Sequence, residues 1–271
     1  MFRPINKAHA IAETIVFFEF DPDLASVMPS LLGLKEVLKD KFPRAEATQE
    51  IRMEVGPGGN NSIRQLPSGL QLSRFRPNGA LEWMINIGAP AISFHCLDYT
   101  RWDHVWPEMK EYIRVVFHEM GAASVSISAV GLKYVDRFIW SGDTTKYDAK
   151  QLFRAETDLL NSRSFGAGPR WHCHSGWFDA SPETGEILNQ LNVDSGHGIL
   201  DGDASIIVNI DHTQTLRRQM EHRLDQYAKI VGQDNVPLDA LMKKLHDGNK
   251  VALLNLLTPA TAKLIALKGT V

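Results

Sequence analysis

The stretch LQLSRFRPNGALEWMINIGAPAISFHCL, residues 70–97, decides the fold class. It contains three short runs, Leu70–Phe75, Leu81–Ile87 and Ala91–Leu97, in which polar residues interrupt apolar ones. Alternation of this kind is typical of a strand with one buried face. The Asn78-Gly79 dipeptide between the first two runs is a signal for a tight hairpin turn. The stretch therefore predicts consecutive strands joined as antiparallel hairpins.

The same patterns continue on both sides of this stretch. Further strands are predicted at Ile11–Phe20, Ala47–Val55, Ser124–Trp140 with a bend at Gly131, Arg170–Ala180, Ile187–Asp194 and Ser205–Asp211. Helical periodicity predicts helices at Leu24–Phe42, Trp102–Met120, Asp148–Leu160, Thr213–Gln233 and, in two pieces, Pro237–Leu267. Strands in hairpins, with helices apart from them, predict an α+β fold in which antiparallel sheets pack against segregated helices.

The polar stretch Ser141–Lys150 is the best candidate for a linker or a major crossover. It divides the chain into two α+β halves, 1–142 and 143–271, each of which is a run of strands followed by helices. A chain of this length can bury one large core or two modest ones. We expect the two halves to form one intimate two-part fold, which fits the length better than two separate domains.

The composition excludes several classes of protein. The chain has 271 residues, with 29 Lys and Arg against 32 Asp and Glu, so its formal net charge is -3. This balance argues against a dedicated nucleic-acid binder, which needs clustered positive charge. The sequence shows no secretory signal and no apolar run that could span a membrane, so we expect a cytoplasmic protein. Cys96 and Cys173 need not pair, since a chain of this size requires no disulfide.

The segment Trp171-His172-Cys173-His174 is a candidate metal site. Because side chains alternate along a strand, His172 and His174 share one face and Cys173 points to the other. A zinc site needs further ligands, which His212, Asp211 or Asp194 could supply from neighbouring strands. The alternative interpretation is two exposed histidines on a sheet face, with no cofactor.

A second candidate site is aromatic and basic. Trp102 and Trp106 share one face of a predicted helix, while Lys133 and Arg137 share one face of a predicted strand. Lys133 and Arg137 would bind an anion or a partner if their face lines a cleft. The alternative is that these aromatic residues, together with Trp140, belong to the core.

Other motifs indicate turns rather than chemistry. The glycine loop 56–62 has strand patterns on both sides and no Lys-Ser or Lys-Thr after it, so it does not resemble a phosphate cradle. The serines Ser175 and Ser195 lie outside the G-x-S-x-G pattern of hydrolases. The acidic group Asp194, Asp201 and Asp203 lacks the spacing of a calcium loop.

Four short motifs resemble those of a sporadically distributed family of uncharacterised bacterial proteins of about this length. The opening strand Ala10–Phe20 is similar to A-x-x-E-x-V-x-E-x-x-F, and Tyr99–Trp102 is similar to a Y-x-x-W helix start. Gly131–Arg137 resembles a G-L-[RK]-Y-x-x-R strand, and Leu245-His246-Asp247 precedes the last helix. The resemblance implies an α+β protein without an established activity. A patchy distribution is typical of accessory loci, such as defence or toxin–antitoxin loci.

These observations favour a non-enzymatic binding or assembly module in the cytoplasm. Its expected partner is a protein or a small anionic ligand, bound through Trp102, Lys133 and Arg137. Membranes and nucleic acids are not expected partners, and the sequence is compatible with a homo-oligomer. The alternative function is a metal-dependent hydrolase that uses His172, His174 and His212, with zinc as its cofactor.

Overall fold

A computed structural model describes residues 1–6, 8–55, 61–121, 126–181, 185–200, 202–219, 224–227 and 236–268. The strands are β1 Phe2–Pro4, β2 Ile11–Phe20, β3 Arg44–Val55, β4 Asn61–Phe75, β5 Leu81–Gly88, β6 Ala91–Cys96, β7 Ile127–Trp140, β8 Trp171–Ser181, β9 Gly185–Leu200 and β10 Asp203–Arg217. The α-helices are α1 Met28–Leu32, α2 Leu34–Val37, α3 Trp102–Met120, α4 Val236–Leu256 and α5 Pro259–Leu264. No helix in these described ranges is long and apolar enough to cross a membrane.

The strands form one ten-stranded antiparallel sheet, so the protein has a mainly β fold. The hydrogen-bonded order is β3-β4-β5-β6-β2-β7-β10-β9-β8, and β1 pairs with β7. The prediction of an α+β fold with sheets packed against segregated helices is therefore wrong. The prediction placed too many residues in helices. It also assigned the hairpin strands to two separate halves, whereas they belong to one continuous sheet.

Three predicted helices differ from the structure. The segment Leu24–Phe42 contains a 3-10 turn, Leu24–Ser26, and the short helices α1 and α2, which are separated at Gly33. In Asp148–Leu160 the structure has a single 3-10 turn, Ala149–Gln151. The first residues of Thr213–Gln233 belong to β10, which runs to Arg217. The buried side chains of β10 include the polar residues His212 and Gln214. Because these buried positions are polar, the alternation of apolar and polar residues that indicates a strand is absent from this part of the sequence.

The hairpin stretch that decided the prediction is confirmed as strands. β4 pairs with β5 and β5 with β6, both antiparallel. Gly79 has a φ of 83°, a left-handed value that glycine adopts without a steric cost. The helix Trp102–Met120 and the division of the last helical segment near Thr258 are also confirmed. Part of the predicted glycine loop, residues 56–60, lies outside the described residues.

The chain forms two compact units, each assembled from separate segments. Unit 1 comprises Met1–Thr14, Gly131–His222 and Val236–Val271, and unit 2 comprises Ile15–Val130 and Arg223–Asn235. The chain passes from one unit to the other within β2 and within β7. The expected boundary near residue 142 lies within unit 1.

Each unit has its own apolar core. In unit 2 the buried stripe of α3 recurs every three or four residues, and Phe117 meets Phe18 edge to face with ring centroids 4.9 Å apart. In unit 1 the buried side chains of β8, β9 and β10 pack with α4, through residues such as Leu191, Val208 and Leu256. One face of the unit 1 sheet is therefore covered by α4, whereas the other carries the exposed residues of the same strands.

Candidate functional site

The exposed face of the unit 1 sheet carries a row of four polar side chains. His172 of β8 lies opposite Asp194 of β9, which lies opposite Asn209 of β10. Directly opposed residues of antiparallel strands point to the same side of the sheet. From β7, Nε of Arg137 donates a 2.8 Å hydrogen bond to Oδ1 of Asn209. Nδ2 of Asn209 donates in turn to Oδ2 of Asp194 over 3.0 Å. The row therefore crosses four strands.

Arg137 retains most of its guanidinium for another partner. A guanidinium has five N–H donors in a planar fork, and the hydrogen bond to Asn209 uses one of them. Within the described part of the chain, Arg137 has no ion pair. Asn209 thus holds the side chain in place while the terminal nitrogens stay available for a carboxylate or a phosphate.

Lys133 lies on the same face but is already paired. Its Nζ is 2.6 Å from Oδ2 of Asp211, and both side chains are half-buried. The opposed residues of this second row are His174, Asn192 and Asp211. Because the carboxylate of Asp211 neutralises the ammonium group, only Arg137 of the two predicted cations offers an uncompensated charge.

Three adjoining depressions of about 270, 580 and 400 Å³ open beside the first row. The first two share Gly196 and His197, and the second and third share Trp171 and His172. Together they form what we call the basic groove, defined by Arg137, Arg163, Arg170, Trp171, His172, His174, Asp194, Gly196 and His197. The two larger depressions fall in the range of about 300 to 1,000 Å³ that is typical of small-molecule sites.

The charge of the basic groove is opposite in sign to that of the whole chain. Three arginines and three histidines line it, against the single carboxylate of Asp194, whereas the chain has a formal net charge of -3. A concave surface lined by one sign of charge raises the local concentration of ligands of the opposite sign. The groove is therefore suited to an anion.

Gly196 lies where two of the depressions meet. A Cβ atom at this position would meet no heavy atom within 4 Å, and φ of Gly196 is not in the left-handed region. Neither packing nor backbone conformation thus requires glycine here. The missing side chain leaves the floor of the groove open.

The structure does not bring the three predicted metal ligands together. The rings of His172 and His174 lie side by side on the exposed face, with centroids 5.4 Å apart. His212 points to the other, covered face of the sheet. It is paired across the strands with Leu191, and Leu191 with Ser175, which lies on the face of β8 away from His172 and His174. Among the residues that the structure describes, no three His, Cys, Asp or Glu side chains converge as metal ligands.

His212 is instead a buried structural residue. Its Nδ1 is 2.9 Å from Oδ1 of Asn249 in α4, and its Nε2 is 3.2 Å from Oδ1 of Asn189. Nδ2 of Asn189 donates to Asp179 over 2.8 Å, and the ring of Trp177 stacks on the imidazole. Burial lowers the pKa of His212, although the Asn249 hydrogen bond and nearby Asp211 and Asp179 oppose the shift.

The Leu-His-Asp motif of the resemblance docks α4 onto the sheet. Nδ1 of His246 is 2.8 Å from the hydroxyl of Tyr134, which belongs to the Gly131–Arg137 motif. At Gly248 a Cβ atom would lie 2.6 Å from Nε2 of Gln214, so a larger residue here would require the side-chain amide of Gln214 to move. These two motifs therefore pack against each other in the covered interior of unit 1.

Asp136 is a further titratable residue that is buried on this face. Its side chain is 2% exposed, and its Oδ1 has no hydrogen-bond partner among the residues that the structure describes. Burial raises the pKa of Asp136 to about 7, because a carboxylate loses its hydration in the interior. In the sequence this position falls on an unspecified residue of the Gly131–Arg137 motif, and nothing there distinguished it.

The remaining predicted residues do not join the basic groove. Trp102 lies in unit 2, where it stacks on Trp106 with ring centroids 5.4 Å apart. Trp140 is buried in unit 1 and donates from Nε1 to the carbonyl of Asp143. Ser175 donates to the carbonyl of Leu159, and Ser195 to that of Pro169, so both hydroxyls have structural partners.

Sequence reasoning missed several groove residues, above all Arg163, Arg170, Gly196, His197 and Asn209. One available signal was the Asp201-Gly202 dipeptide, which favours a two-residue hairpin turn. Such a turn sets the register that pairs Leu200 with Asp203 and thus places Asn209 opposite Asp194. For Arg163 and Arg170 there was no comparable signal, because Arg163 lies in the short 3-10 turn Ser162–Phe165 and Arg170 in irregular chain just before β8.

Comparison with known proteins adds no family to this description. No protein-family model matches the chain, and no curated protein matches it either. The resemblance to a sporadic bacterial family therefore stays a prediction.

Proposed function

We propose that this chain is a non-enzymatic binding module whose basic groove takes a small anionic ligand. The observation that carries the proposal is the state of Arg137. Its Nε is held by Asn209, its terminal nitrogens have no ion pair within the described residues, and it faces a depression of about 270 Å³. A positioned, uncompensated guanidinium beside further cations is the arrangement that recognises phosphate or carboxylate groups.

The geometry gives no support to the alternative, a metal-dependent hydrolase. His212 lies on the other face of the sheet from His172 and His174, and both of its ring nitrogens already have asparagine partners. A catalytic zinc needs three protein ligands around one point. The two exposed histidines fit an anion site better, since imidazole nitrogens can donate hydrogen bonds to an oxyanion.

We also propose that the protein works in a reducing compartment such as the cytoplasm. Both cysteines support this part of the proposal, since Cys96 and Cys173 are free thiols. Free thiols persist where glutathione and thioredoxin keep cysteines reduced.

Isothermal titration calorimetry with inorganic phosphate, pyrophosphate and succinate tests the anion site. Arg137→Gln should weaken binding at least about tenfold, because it removes a charge-assisted, bidentate contact. Gly196→Val should weaken binding by a similar factor, since its side chain would occupy the floor of the groove and its Cβ would meet no protein atom within 4 Å.

The matched control is Arg3→Gln, which removes an exposed arginine of the same unit that does not line the groove. Arg3→Gln should bind as the wild type does. Thermal unfolding of all variants checks that the fold is kept. The proposal fails if none of the three anions binds, or if Arg137→Gln and Gly196→Val both bind like the control.

A further inference from the structure

The three depressions of the basic groove form a line. The second, of about 580 Å³, shares Gly196 and His197 with the first, of about 270 Å³, and it shares Trp171 and His172 with the third, of about 400 Å³. Among the residues that the structure describes, the first and third depressions have no lining residue in common. A ligand that contacts both ends of the groove must therefore be elongated.

Each depression has one arginine that the other two lack. Arg137 lines the first, Arg170 the second and Arg163 the third. Within the described part of the chain, Arg163 and Arg170 form no ion pair, and both residues are exposed. The one carboxylate among the described lining residues, that of Asp194, lies in the first depression, where it accepts a hydrogen bond from Asn209. The groove thus offers an anion three separate guanidinium groups.

These arginines are spread across the width of four strands. Arg137 belongs to β7, and the order β7-β10-β9-β8 places three strand spacings between it and β8, the strand that Arg170 directly precedes. At about 4.8 Å for each spacing, the backbones of β7 and β8 are about 14 Å apart. Arg163 lies in the 3-10 turn Ser162–Phe165, which contacts β8. A chain of anionic groups laid across the strands would reach all three arginines, whereas a single phosphate fills one depression.

The lining of the groove favours inorganic phosphate groups over an acidic peptide. Asp194 of β9 is paired with His172 on one side and with Asn209 on the other, so this face offers a ligand side chains rather than backbone groups. Peptides that bind a sheet through their backbone do so along an exposed edge. A phosphate chain needs no backbone partner, since guanidinium groups recognise its oxygens directly.

The lining also disfavours a nucleic acid. Proteins that bind single strands combine positive charge with aromatic side chains on which the bases stack. The one tryptophan of the groove, Trp171, is only 9% exposed, because its ring packs edge to face against Phe153 in the core of unit 1. The groove therefore has charge for a phosphate chain but offers no tryptophan face for bases.

We propose that the basic groove binds a short linear polyphosphate that lies across β7, β10, β9 and β8, with phosphate groups in all three depressions. This inference rests on the function proposed above and adds the class of ligand to it. Arg137, held by Asn209, fixes one end of the chain, and Arg170 and Arg163 contact phosphates farther along it. The contacts reinforce one another, because a chain held at one phosphate keeps its other phosphates at a high local concentration.

Calorimetric titration with orthophosphate, tripolyphosphate and octaphosphate tests this inference. Affinity should rise with chain length, by at least about a hundredfold from orthophosphate to octaphosphate, because the longer chain reaches more of the arginines. Arg163→Gln and Arg170→Gln should each weaken octaphosphate binding at least about fivefold but leave orthophosphate binding within about twofold of the wild type. The control Arg3→Gln should change neither affinity.

Oligothymidylate and oligoglutamate of comparable length identify the chemistry of the ligand. Each should bind at least about tenfold more weakly than octaphosphate. Binding of either one as tightly as octaphosphate overturns the assignment to polyphosphate. So does octaphosphate that binds no more tightly than orthophosphate, and so do Arg163→Gln and Arg170→Gln variants that both bind octaphosphate as the wild type does.

The same titrations distinguish the polyphosphate inference from the function on which it rests. Orthophosphate binding that Arg137→Gln weakens supports the anion site, even where octaphosphate gains nothing over orthophosphate. In that case only the polyphosphate inference fails. If none of the anions binds the wild type, the anion site and the polyphosphate inference fail together.

Discussion

The two faces of the unit 1 sheet use histidine in opposite ways. On the exposed face, His172 and His174 line a groove and have no protein hydrogen bond to either ring within the described residues. On the covered face, His212 is 1% exposed, contacts two asparagines and stacks on Trp177. The three residues lie on β8 and β10 of one sheet. Orientation alone therefore separates histidines that can bind a ligand from one that stabilises the fold.

The comparison extends to the other polar residues of these strands. On the covered face a polar group without a protein partner, such as Oδ1 of Asp136 within the described residues, costs about 1 to 3 kcal/mol. Asn189, Asn249 and His246 all have such partners. On the exposed face water satisfies the same groups, and they remain available for a ligand. A polar residue on a strand thus indicates a site only after its face is known.

The largest contrast between the two faces should be seen in the free energy of unfolding when one histidine of each face is replaced by alanine. His212→Ala should lower the free energy of unfolding by about 3 kcal/mol, because it leaves a cavity and removes the partner of Oδ1 in both Asn189 and Asn249. His174→Ala should change it by less than about 0.5 kcal/mol, as exposed substitutions generally do. Urea unfolding followed by circular dichroism measures both values. Similar losses in the two variants would contradict the structural role assigned to His212.

The sequence predicted most of the strands, because alternation survives wherever the buried face is apolar. Leu70, Leu72, Ile85 and Ile87 show this in the hairpin stretch, where all four are buried. The fold class was not predictable by the same means. Ser205–Asp211 was predicted as a strand, but polar residues on the covered face concealed the strand period of the second half of β10, from His212 to Arg217.

Asp136 gives a second test of the covered face, through the dependence of the free energy of unfolding on pH. Its folded-state pKa of about 7 lies above the unfolded value of about 3.9. Between about pH 3.9 and about pH 7 the folded protein therefore binds a proton at Asp136 that the unfolded chain does not. Stability must therefore fall as the pH rises across this interval. From about pH 5 to about pH 7 the loss should be about 2 kcal/mol. Asp136→Asn should remove this loss, because asparagine has no proton to release.

The difference between Asp136→Asn and the wild type at each pH isolates this effect. His212 contributes with the opposite sign, since its lowered pKa means that the unfolded chain takes up the proton first, and stability is lost as the pH falls below about 6.5. The background from His212 is the same in both proteins and cancels in the difference. Denaturant unfolding at a series of pH values gives the comparison. A difference that does not grow with pH would mean that Asp136 is ionised in the folded state.

The candidate site was only partly predictable, again for reasons of orientation and register. Arg137 was identified from its strand face, and the structure places it in the basic groove. Lys133 satisfied the same criterion, but whether a cation is free depends on the neighbouring strand, and β10 places Asp211 beside it. Trp102 was grouped with these cations, yet it belongs to the other unit. Periodicity within one strand assigns a face, whereas the contacts across strands require the register.

The smallest effect should come from Lys133, and it separates the two cations of the exposed face. Lys133→Met should lower the free energy of unfolding by less than about 1 kcal/mol, since a half-exposed ion pair with Asp211 contributes little and is screened by salt. Phosphate affinity should stay within about twofold of the wild type, because the charge removed is already neutralised by a carboxylate. Calorimetric titration of Lys133→Met beside Arg137→Gln measures the contrast. Equal losses of affinity in both variants would show that the ligand displaces Asp211 from Lys133, and the anion site would then extend across both rows of the sheet.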